Sequence, residues 1–227
     1  MEEIFKNINY YNHIVITLSK DVSINHIASA NALYTYLLQQ HKKVSLYCEN
    51  NNFNMNIYFL PWMDKLKISY PSSADLSVNT IDSTELFSIF KENNIKLNRK
   101  MATSLYAGLL NETNGFKRDV TSKVFIMAKE LIDSGAEVQK CTKYVLNYHS
   151  LSTVRFKAIL LNKMILKDNA TVALFDIYDE DLSCSGAKIQ DVSVVIDEAL
   201  SLPSIEEVII KYNGKIIEKR MKFEKKK

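Results

Sequence analysis

The sequence predicts an α/β protein with a parallel-sheet N-terminal domain and helical connector, residues 1–166, followed by a small α+β domain, residues 167–227. Three observations predict this class. An apolar β-branched run, a stretch of helical periodicity and a second apolar run open the chain, which is the order of a βαβ unit. Helical patterns then follow one another through the middle of the chain, and a strand, a two-residue turn and a strand lie near its end.

The opening unit consists of a strand at residues 14–18, a helix at residues 27–40 and a strand at residues 44–48. Ligands of parallel sheets bind at the carboxyl ends of the strands, so any chemistry is expected in the loop Ser19–His26. Asp21 and His26 could serve there as metal ligands or acid-base groups. Their spacing matches no known metal motif, and Ser23 or Asn25 serves equally well as a helix N-cap, which is the interpretation we favour.

The region between this unit and the central helices gives local signals only. Asparagine-rich residues 49–56 indicate a loop. The apolar group at residues 59–63 contains Trp62, which is expected to pack against the core rather than to stack on a base. Asp82 and Glu85 have the spacing of a capping box that begins a helix.

The most informative stretch is Ala102–Phe116, which predicts a buried helix that ends in a polar turn. Its apolar stripe follows the i, i+3, i+4, i+7, i+8 spacing. The members of the stripe are Ala102, Leu105, Tyr106, Leu109 and Leu110. The turn carries one carboxylate, Glu112, and Asn114 and Gly115 tolerate positive φ. The residues alone fit either an active-site corner or an ordinary helix end, and they favour the helix end.

Further helices are predicted from the cap at Thr121 or Ser122 to Gly135, at residues 138–148 and at residues 151–166, with His149 as a cap or packing residue between the last two. A strand follows at residues 171–175. Four carboxylates come next and read as a solvated turn, with a divalent-ion site as the weaker alternative. They are Asp176, Asp179, Glu180 and Asp181. A helix at 192–200 and a hairpin of 205–212 with 215–221 across Asn213-Gly214 complete the small domain.

Composition excludes several classes of protein. The chain is 47% hydrophobic, and its 29 Lys and Arg against 26 Asp and Glu are too nearly balanced to indicate nucleic-acid binding. Much of the excess lies in a basic tail, residues 219–227, which we expect to be solvated. Five scattered glycines provide neither a G-x-G-x-x-G motif nor a P-loop.

Three widely spaced cysteines, at positions 48, 141 and 184, give neither a disulfide framework nor a zinc spacing, so a reducing cytoplasm is expected. The acidic N-terminal residues lack the apolar core of a signal peptide. No apolar run is long enough for a membrane span, and we therefore expect neither export nor membrane insertion.

The stretch A-T-S-L-Y-A-G-L-L-N-E-T-N-G-F resembles the A-T-x-L-Y-x-G-I-x-T-D-T-G-x-F segment of the DHH-family phosphoesterases, in particular the bacterial nanoRNases and pAp phosphatases. The likeness continues through K-V-F-I-M-A-K-E-L-I-D-S-G-A-E-V-Q-K and the C-terminal hairpin. Upstream, it includes S-I-N-H-I-A-S-A-N-A-L, K-K-V-S-L-Y and F-L-P-W-M-D-K-L. The resemblance implies the fold of that family, a C-terminal DHH-associated domain, and a site for two divalent ions, usually manganese.

The chain departs from the family at the catalytic positions. Where the family reads H-x-N-P-D-G-D, the histidine and both aspartates are replaced by Ser19, Ser23 and Asn25. The second aspartate motif and the D-H-H motif are missing from the short segment before Asp82. Of the metal ligands only Glu112 remains, at the position of the aspartate in T-D-T-G. The family's terminal G-G-G-H substrate loop is also missing.

The sequence therefore predicts a catalytically inactive member of the family, a cytoplasmic pseudoenzyme without a cofactor that acts as a protein-interaction or scaffold module, including self-association as a homodimer. Two alternatives stay open. One is an active phosphoesterase or nuclease on short oligonucleotides or nucleotides, whose metal site is rebuilt from Glu112, Asp21, His26, Asp75 and Asp82. The other is RNA or nucleotide binding without catalysis. It would use the basic tail together with Lys211, Lys215 and Lys219.

Overall fold

The structure, a computed structural model, describes residues 5, 7–19, 22–49, 53 and 55–222. The chain divides into two compact units, Met1–Tyr148 and His149–Lys227. The expected boundary between residues 166 and 167 therefore lies inside the second unit. Phe156 and Leu160, which precede that boundary, are fully buried in the hydrophobic core of the second unit.

The first unit contains a four-stranded parallel sheet in the order β3-β2-β1-β4. The strands are β1 (His13–Leu18), β2 (Lys43–Cys48), β3 (Leu66–Lys67) and β4 (Leu76–Asn79). Helix α1 (Ile24–Gln39) connects β1 to β2, as the predicted βαβ unit requires. The middle of β1 is fully buried, which explains its near-continuous run of β-branched residues.

The described residues of this unit form four further α-helices that bear on the site. They are α2 (Ser83–Glu92), α3 (Arg99–Glu112), α4 (Ser122–Asp133) and α5 (Val138–Cys141), the last continuing as a π-helix, Thr142–Leu146. Thr121 caps α4 and Gly135 follows its end with φ of 87°, both as predicted. The expected uninterrupted helix over residues 138–148 is wrong, because the chain widens into the π-helical turn after Cys141.

Helix α3 is the centre of the first core and packs against α1, α2 and α4. Its predicted apolar stripe is confirmed: all five members are at most 4% exposed. Asn98 caps the helix by accepting a hydrogen bond from the Met101 N–H at 2.9 Å. The helix thus runs through the core towards the surface, and Glu112 is its last residue.

The second unit contains a sheet in the order β5-β6-β7-β8, in which only β6 and β7 are parallel. Its strands are β5 (Ile165–Lys167), β6 (Val172–Ile177), β7 (Glu207–Tyr212) and β8 (Lys215–Met221), and its helices are α6 (Leu151–Asn162), α7 (Asp179–Ser185) and α8 (Ser193–Ser201). The predicted hairpin is confirmed. Asn213 and Gly214 both have positive φ, as a tight hairpin turn requires.

Two predictions for this unit are wrong. The helix over residues 151–166 stops at Asn162, because residues 165–167 pair with β6 as a strand. The acidic group is not a solvated turn: Asp176 belongs to β6, and the other three carboxylates form the first turn of α7, where negative charge is stabilised by the helix dipole. Asp181 is 4% exposed; it accepts the Tyr178 N–H and is paired with Lys163.

None of the helices in the described part of the chain combines the length and the hydrophobicity that a bilayer span requires.

Candidate functional site

A cluster of polar side chains lies beyond the carboxyl ends of β1 and β4, where ligands of parallel sheets bind. We call this cluster the polar corner. It consists of Asn25, Asp82, Ser83, Thr84 and Glu112. Three helices supply these residues: α1 and α2 by their first turns, and α3 by its last.

Asn25 connects the three helices and is 5% exposed. Its Nδ2 donates to Asp82 Oδ1 at 2.8 Å and, in a longer contact, to Glu112 Oε2 at 3.4 Å. Its Oδ1 accepts the Ser83 N–H at 2.9 Å. This backbone donor fixes the orientation of the amide, because a flipped side chain would place its NH₂ group against another donor.

The expected capping box at Asp82 is therefore wrong in its side-chain contacts. Asp82 occupies the N-cap position of α2, but its carboxylate makes no capping bond within the part of the chain that the structure describes. It receives the Asn25 amide instead. The first N–H of α2 is satisfied from another helix, by Asn25 Oδ1.

Glu112 ends α3 and is partly buried. Thr84 Oγ1 donates to its Oε2 at 3.4 Å. Burial, followed by the nearby charge of Asp82, raises the pKa of Glu112 above its ordinary value, and the Thr84 and Asn25 hydrogen bonds only partly oppose this shift. The negative charge of Asp82 thus disfavours ionisation of Glu112.

His26 and Ser23 lie beside the corner. Ser23 caps α1 by accepting the His26 N–H at 3.3 Å, and its hydroxyl contacts His26 Nδ1 at 2.8 Å. The other ring nitrogen, Nε2, lies 3.7 Å from Asp82 Oδ1. The prediction that Ser23 or Asn25 caps the helix is confirmed for Ser23. The helix begins at Ile24, so Asn25 and His26 belong to its first turn and not to a loop.

Gly108 allows the helices to meet closely enough to form the corner. A Cβ atom at this position would overlap Ser83 Oγ and lie 2.7 Å from Ser83 Cβ and 2.8 Å from Asn25 Oδ1. Any larger residue would force α3 away from the first turns of α1 and α2.

The turn after Glu112 is tighter than predicted. Asn114 and Gly115 have positive φ, as expected, and Phe116 also lies in the left-handed region with φ of 64°. A Cβ at Gly115 would come 2.7 Å from Leu146 Cδ1 of the π-helix. The Thr113 hydroxyl donates to Leu109 O at 2.7 Å and accepts the Phe116 N–H at 3.1 Å, which stabilises this run of left-handed residues.

The donor set of the corner does not fit a two-manganese site. Within the described ranges, no three His, Cys, Asp or Glu side chains converge in a way that could hold a metal ion. Glu112, Asp82 and His26 approach the corner, but the group between the two carboxylates is an amide NH₂, which cannot coordinate a cation. Ser19 is exposed after β1, and Asp21 lies outside the described residues.

Asp75, the remaining candidate, lies at the opposite end of the sheet. Its Oδ2 accepts the Asn12 and His13 N–H groups at 2.8 and 2.9 Å. The hydrogen bond from the His13 N–H, and next the one from the Asn12 N–H, lower the pKa of Asp75 below its ordinary value. Asp75 precedes the amino end of β4, whereas Asp82 follows its carboxyl end and lies in the polar corner with Glu112. The predicted convergence of Asp75 with Glu112 is therefore wrong.

A solved structure with the same fold comes from Bacteroides fragilis. It is an exopolyphosphatase-related protein with a TM-score of 0.73 and 14% sequence identity, and the match covers 95% of this chain and 82% of that chain. The two chains share a fold. A putative family II inorganic pyrophosphatase from Methanococcus jannaschii matches at 13% identity over 88% of this chain and 83% of that chain, with a TM-score of 0.36. No family model and no curated protein matches the chain.

The three lysines considered for RNA binding are divided between the faces of the second sheet. Lys219 pairs with Ile209 and Lys215 pairs with Tyr212, three residues further along β7. Neighbouring residues of a strand point to opposite faces, so these two lysines lie on opposite faces, and Lys211 shares the face of Lys219. A register shift between Ile210 and Lys211 causes this division.

Sequence reasoning missed the role of Asn25 as a bridge, since it treated this residue as a lost ligand or a cap. It also missed Ser83, Thr84 and Gly108. Two signals could have found the corner: an asparagine in the first turn of an otherwise buried helix, and a glycine in the interior of another, where glycine is unfavourable unless a close contact requires it.

Proposed function

We propose that this chain is a DHH-type phosphoesterase-like protein that has lost metal-dependent hydrolysis and acts in the cytoplasm as a protein-interaction or scaffold module. The fold shared with the exopolyphosphatase-related protein supports the relationship. One observation carries the loss of activity: the Asn25 amide donates hydrogen bonds to both carboxylates of the polar corner.

The amide performs the structural task of a cation without its chemistry. Two carboxylates at close range need a positive or hydrogen-donating group between them, and the Asn25 NH₂ group supplies one. A neutral amide neither lowers the pKa of a bound water nor neutralises a phosphoryl transition state. The corner therefore has a hydrogen-bond donor between its carboxylates, but it has no group that would activate water as a divalent ion does.

Thermal unfolding with and without MnCl₂ tests this proposal. Wild-type protein should show no Mn²⁺-dependent rise in Tm. Asn25→Asp should be less stable at pH 7, because it buries a third carboxylate in the corner, and Mn²⁺ should restore much of the loss by binding only the folded state. Asn31→Asp is the matched control, since Asn31 is fully buried on the same helix and donates to Ile27 O instead. Mn²⁺ should not rescue it.

Hydrolysis assays test the loss of activity directly. Purified wild-type protein should not turn over short oligonucleotides or pAp when Mn²⁺ is added. Metal-dependent turnover that disappears in Glu112→Ala would refute the proposal.

A second candidate is an active phosphoesterase with a rebuilt, metal-independent site. The raised pKa of Glu112, caused first by burial and then by Asp82, favours it, because a carboxyl that stays protonated at higher pH can act as a general acid. His26 near Asp82 would complete such a site. If this candidate is correct, turnover needs no added metal and its rate falls as pH rises through the pKa of Glu112. Glu112→Gln should then have no activity.

The surface we assign to protein interaction is an apolar groove beside α4. The groove has a volume of about 350 Å³ and is lined mainly by apolar side chains. Phe125 and Ile132 are 57% and 47% exposed. Phe116 stacks on Phe125, with ring centroids 5.8 Å apart.

A second copy of this chain is the partner that this surface fits. The same helix carries both a hollow, between Phe125 and Ile132, and a projecting side chain, Ile126, which is 56% exposed. A two-fold interface needs a patch that is complementary to itself. Lys129 and Asp133, 2.6 Å apart on this face, can exchange partners across such an axis.

Light scattering coupled to size exclusion tests the dimer. Wild-type protein at micromolar concentration should have the mass of a dimer, and Phe125→Glu that of a monomer. Val154→Glu, a change at an exposed apolar position on α6, is the matched control and should remain dimeric. A monomeric wild type over the accessible concentration range would contradict the assignment.

A further inference from the structure

Three aromatic side chains line the groove beside α4 and lead from the core of the first unit to its surface: Tyr106, Phe116 and Phe125. The Tyr106 and Phe116 rings are 6.5 Å apart and inclined by 55°, and the Phe116 and Phe125 rings are 5.8 Å apart and inclined by 16°. Tyr106 is 4% exposed, whereas Phe125 is 57% exposed. The groove therefore has a buried end at Tyr106 and an open end at Phe125.

The buried end of the groove carries a polar group without a partner. The Tyr106 hydroxyl makes no hydrogen bond to any residue that the structure describes. Burial first, and then the neighbouring Cys141 thiol, raise the pKa of Tyr106 above its ordinary value of 10.0, so the hydroxyl keeps its proton and can donate. Because buried polar groups are nearly always hydrogen-bonded, a ligand that brings an oxygen to this hydroxyl gains a bond that the protein alone does not make.

The other properties of the groove define the size and the charge of such a ligand. Its volume of about 350 Å³ lies at the lower end for small-molecule sites, which suits a molecule of about two aromatic rings. The charged side chains at the groove, Lys129 and Asp133, are paired with each other at 2.6 Å. A charged ligand would lose its hydration against apolar walls and would have to break this pair, so an uncharged ligand is favoured.

We propose that the groove binds an uncharged aromatic molecule whose oxygen forms a hydrogen bond with the Tyr106 hydroxyl and whose rings pack against Phe116 and Phe125. Aromatic rings attract one another in offset-stacked and edge-to-face arrangements, and the two phenylalanines provide both a face and an edge. The ligand occupies the hollow that the proposed dimer fills, so the ligand and a second copy of the chain compete. This competition rests on the proposed function, whereas ligand binding itself does not.

Saturation-transfer NMR titrations with 2-naphthol, naphthalene and 2-naphthoate at pH 7 test the proposal. They are best made on Ile126→Glu, because Ile126 does not line the groove and the change removes the side chain that projects into the partner. This variant should bind 2-naphthol about three- to tenfold more tightly than naphthalene, the worth of one net hydrogen bond. It should not bind 2-naphthoate measurably.

Tyr106→Phe isolates the hydroxyl. In the Ile126→Glu background it should lower the affinity for 2-naphthol to that for naphthalene and leave the affinity for naphthalene unchanged. Its Tm should not fall, because the hydroxyl has no protein partner to lose among the described residues. Tyr36→Phe is the matched control, since Tyr36 is 8% exposed and does not line the groove, and it should change neither affinity.

The dimer and the ligand can fail separately. In wild-type protein, 2-naphthol should shift the mass measured by light scattering from dimer towards monomer. If the wild type is a monomer, the proposed dimer is wrong, but 2-naphthol should then bind the wild type and Ile126→Glu equally well, which supports the ligand site.

Three results would overturn the ligand site. The first is the absence of 2-naphthol binding to Ile126→Glu that circular dichroism shows to be folded. The second is an affinity for 2-naphthol that does not change in Tyr106→Phe. The third is binding of 2-naphthoate as tight as that of 2-naphthol, which would show that the groove does not select an uncharged molecule.

Discussion

At the amino end of the first sheet a carboxylate accepts two backbone N–H groups, whereas at the carboxyl end two carboxylates share one side-chain amide. Asp75 is held by the fixed donors of residues 12 and 13. Glu112 and Asp82 repel each other across Asn25. Similar side chains therefore have opposite consequences: ionisation is favoured at one end and disfavoured at the other.

The histidines at the two ends of the sheet, His13 and His26, also differ in burial and in their contacts. His13, 4% exposed, contacts Ser73 O at 3.0 Å through Nδ1 and Ser45 Oγ at 2.9 Å through Nε2, so β1, β2 and the loop before β4 are joined by one buried ring. His26 is more exposed, and its ring contacts Ser23 Oγ at 2.8 Å and lies 3.7 Å from Asp82 Oδ1. The contacts of Asp75 and His13 stabilise the amino end of the sheet, whereas the polar groups at its carboxyl end remain accessible.

The largest effect is expected from Gly108→Ala, which tests whether close helix contact holds the carboxyl end together. The new Cβ would overlap the Ser83 side chain, so α3 has to move. The free energy of unfolding, measured with urea, should fall by about 2 to 3 kcal/mol. The double variant Ser83→Gly/Gly108→Ala should recover part of the loss. An unchanged stability would show that α3 can move freely.

Asp75→Asn tests the amino end. The pKa of Asp75 is lowered in the folded protein by the His13 and Asn12 N–H groups, so its contribution to stability is present above the ordinary value of 3.8 and is lost as pH falls through the lowered pKa. The variant should be less stable than wild type at pH 7 and equally stable in strong acid. Asp64→Asn, at an exposed carboxylate paired with Lys65, is the control. A pH-independent difference would contradict this account.

The smallest effect, with the opposite sign, is expected from Glu112→Gln. The pKa of Glu112 is raised in the folded protein, so stability is fully present below the ordinary value of 4.5 and is lost as pH rises through the raised pKa. The variant should be more stable than wild type at pH 7, by less than about 1 kcal/mol because the group is partly solvated. Urea titrations at pH 4 and pH 7 measure the difference, which should vanish at the lower pH.

Glu85→Gln, at an exposed position of α2, is the control for that comparison and should change little. If Glu112→Gln and Asp75→Asn shifted stability in the same direction at pH 7, the contrast between the two ends of the sheet would fail.

Local patterns predicted those parts of the fold that local interactions determine. The stripe of α3 and the Asn213-Gly214 hairpin are examples, since helical periodicity and turn chemistry act over a few residues. The end of α6 could not be predicted in the same way. Residues 165–167 continue an apolar pattern, and their pairing with β6 decides that they form a strand.

The candidate site shows the same limit. Glu112 and Asp82 were recognisable as carboxylates at element ends, but their shared donor, Asn25, lies 57 residues from Asp82 and 87 from Glu112. The capping box at Asp82 failed because this distant amide competes for the carboxylate. The π-helix after Cys141 could not be predicted either, because helical periodicity continues through the residues that form the wider turn.

The contact between Gly115 and Leu146 has a consequence for communication within the first unit. Leu146 ends the π-helix, and it lies against the turn that follows Glu112. A displacement of Leu146 therefore changes the free energy of that turn. By thermodynamic reciprocity, a change of protonation at Glu112 that alters the turn shifts the conformational equilibrium of the π-helix by the same free energy.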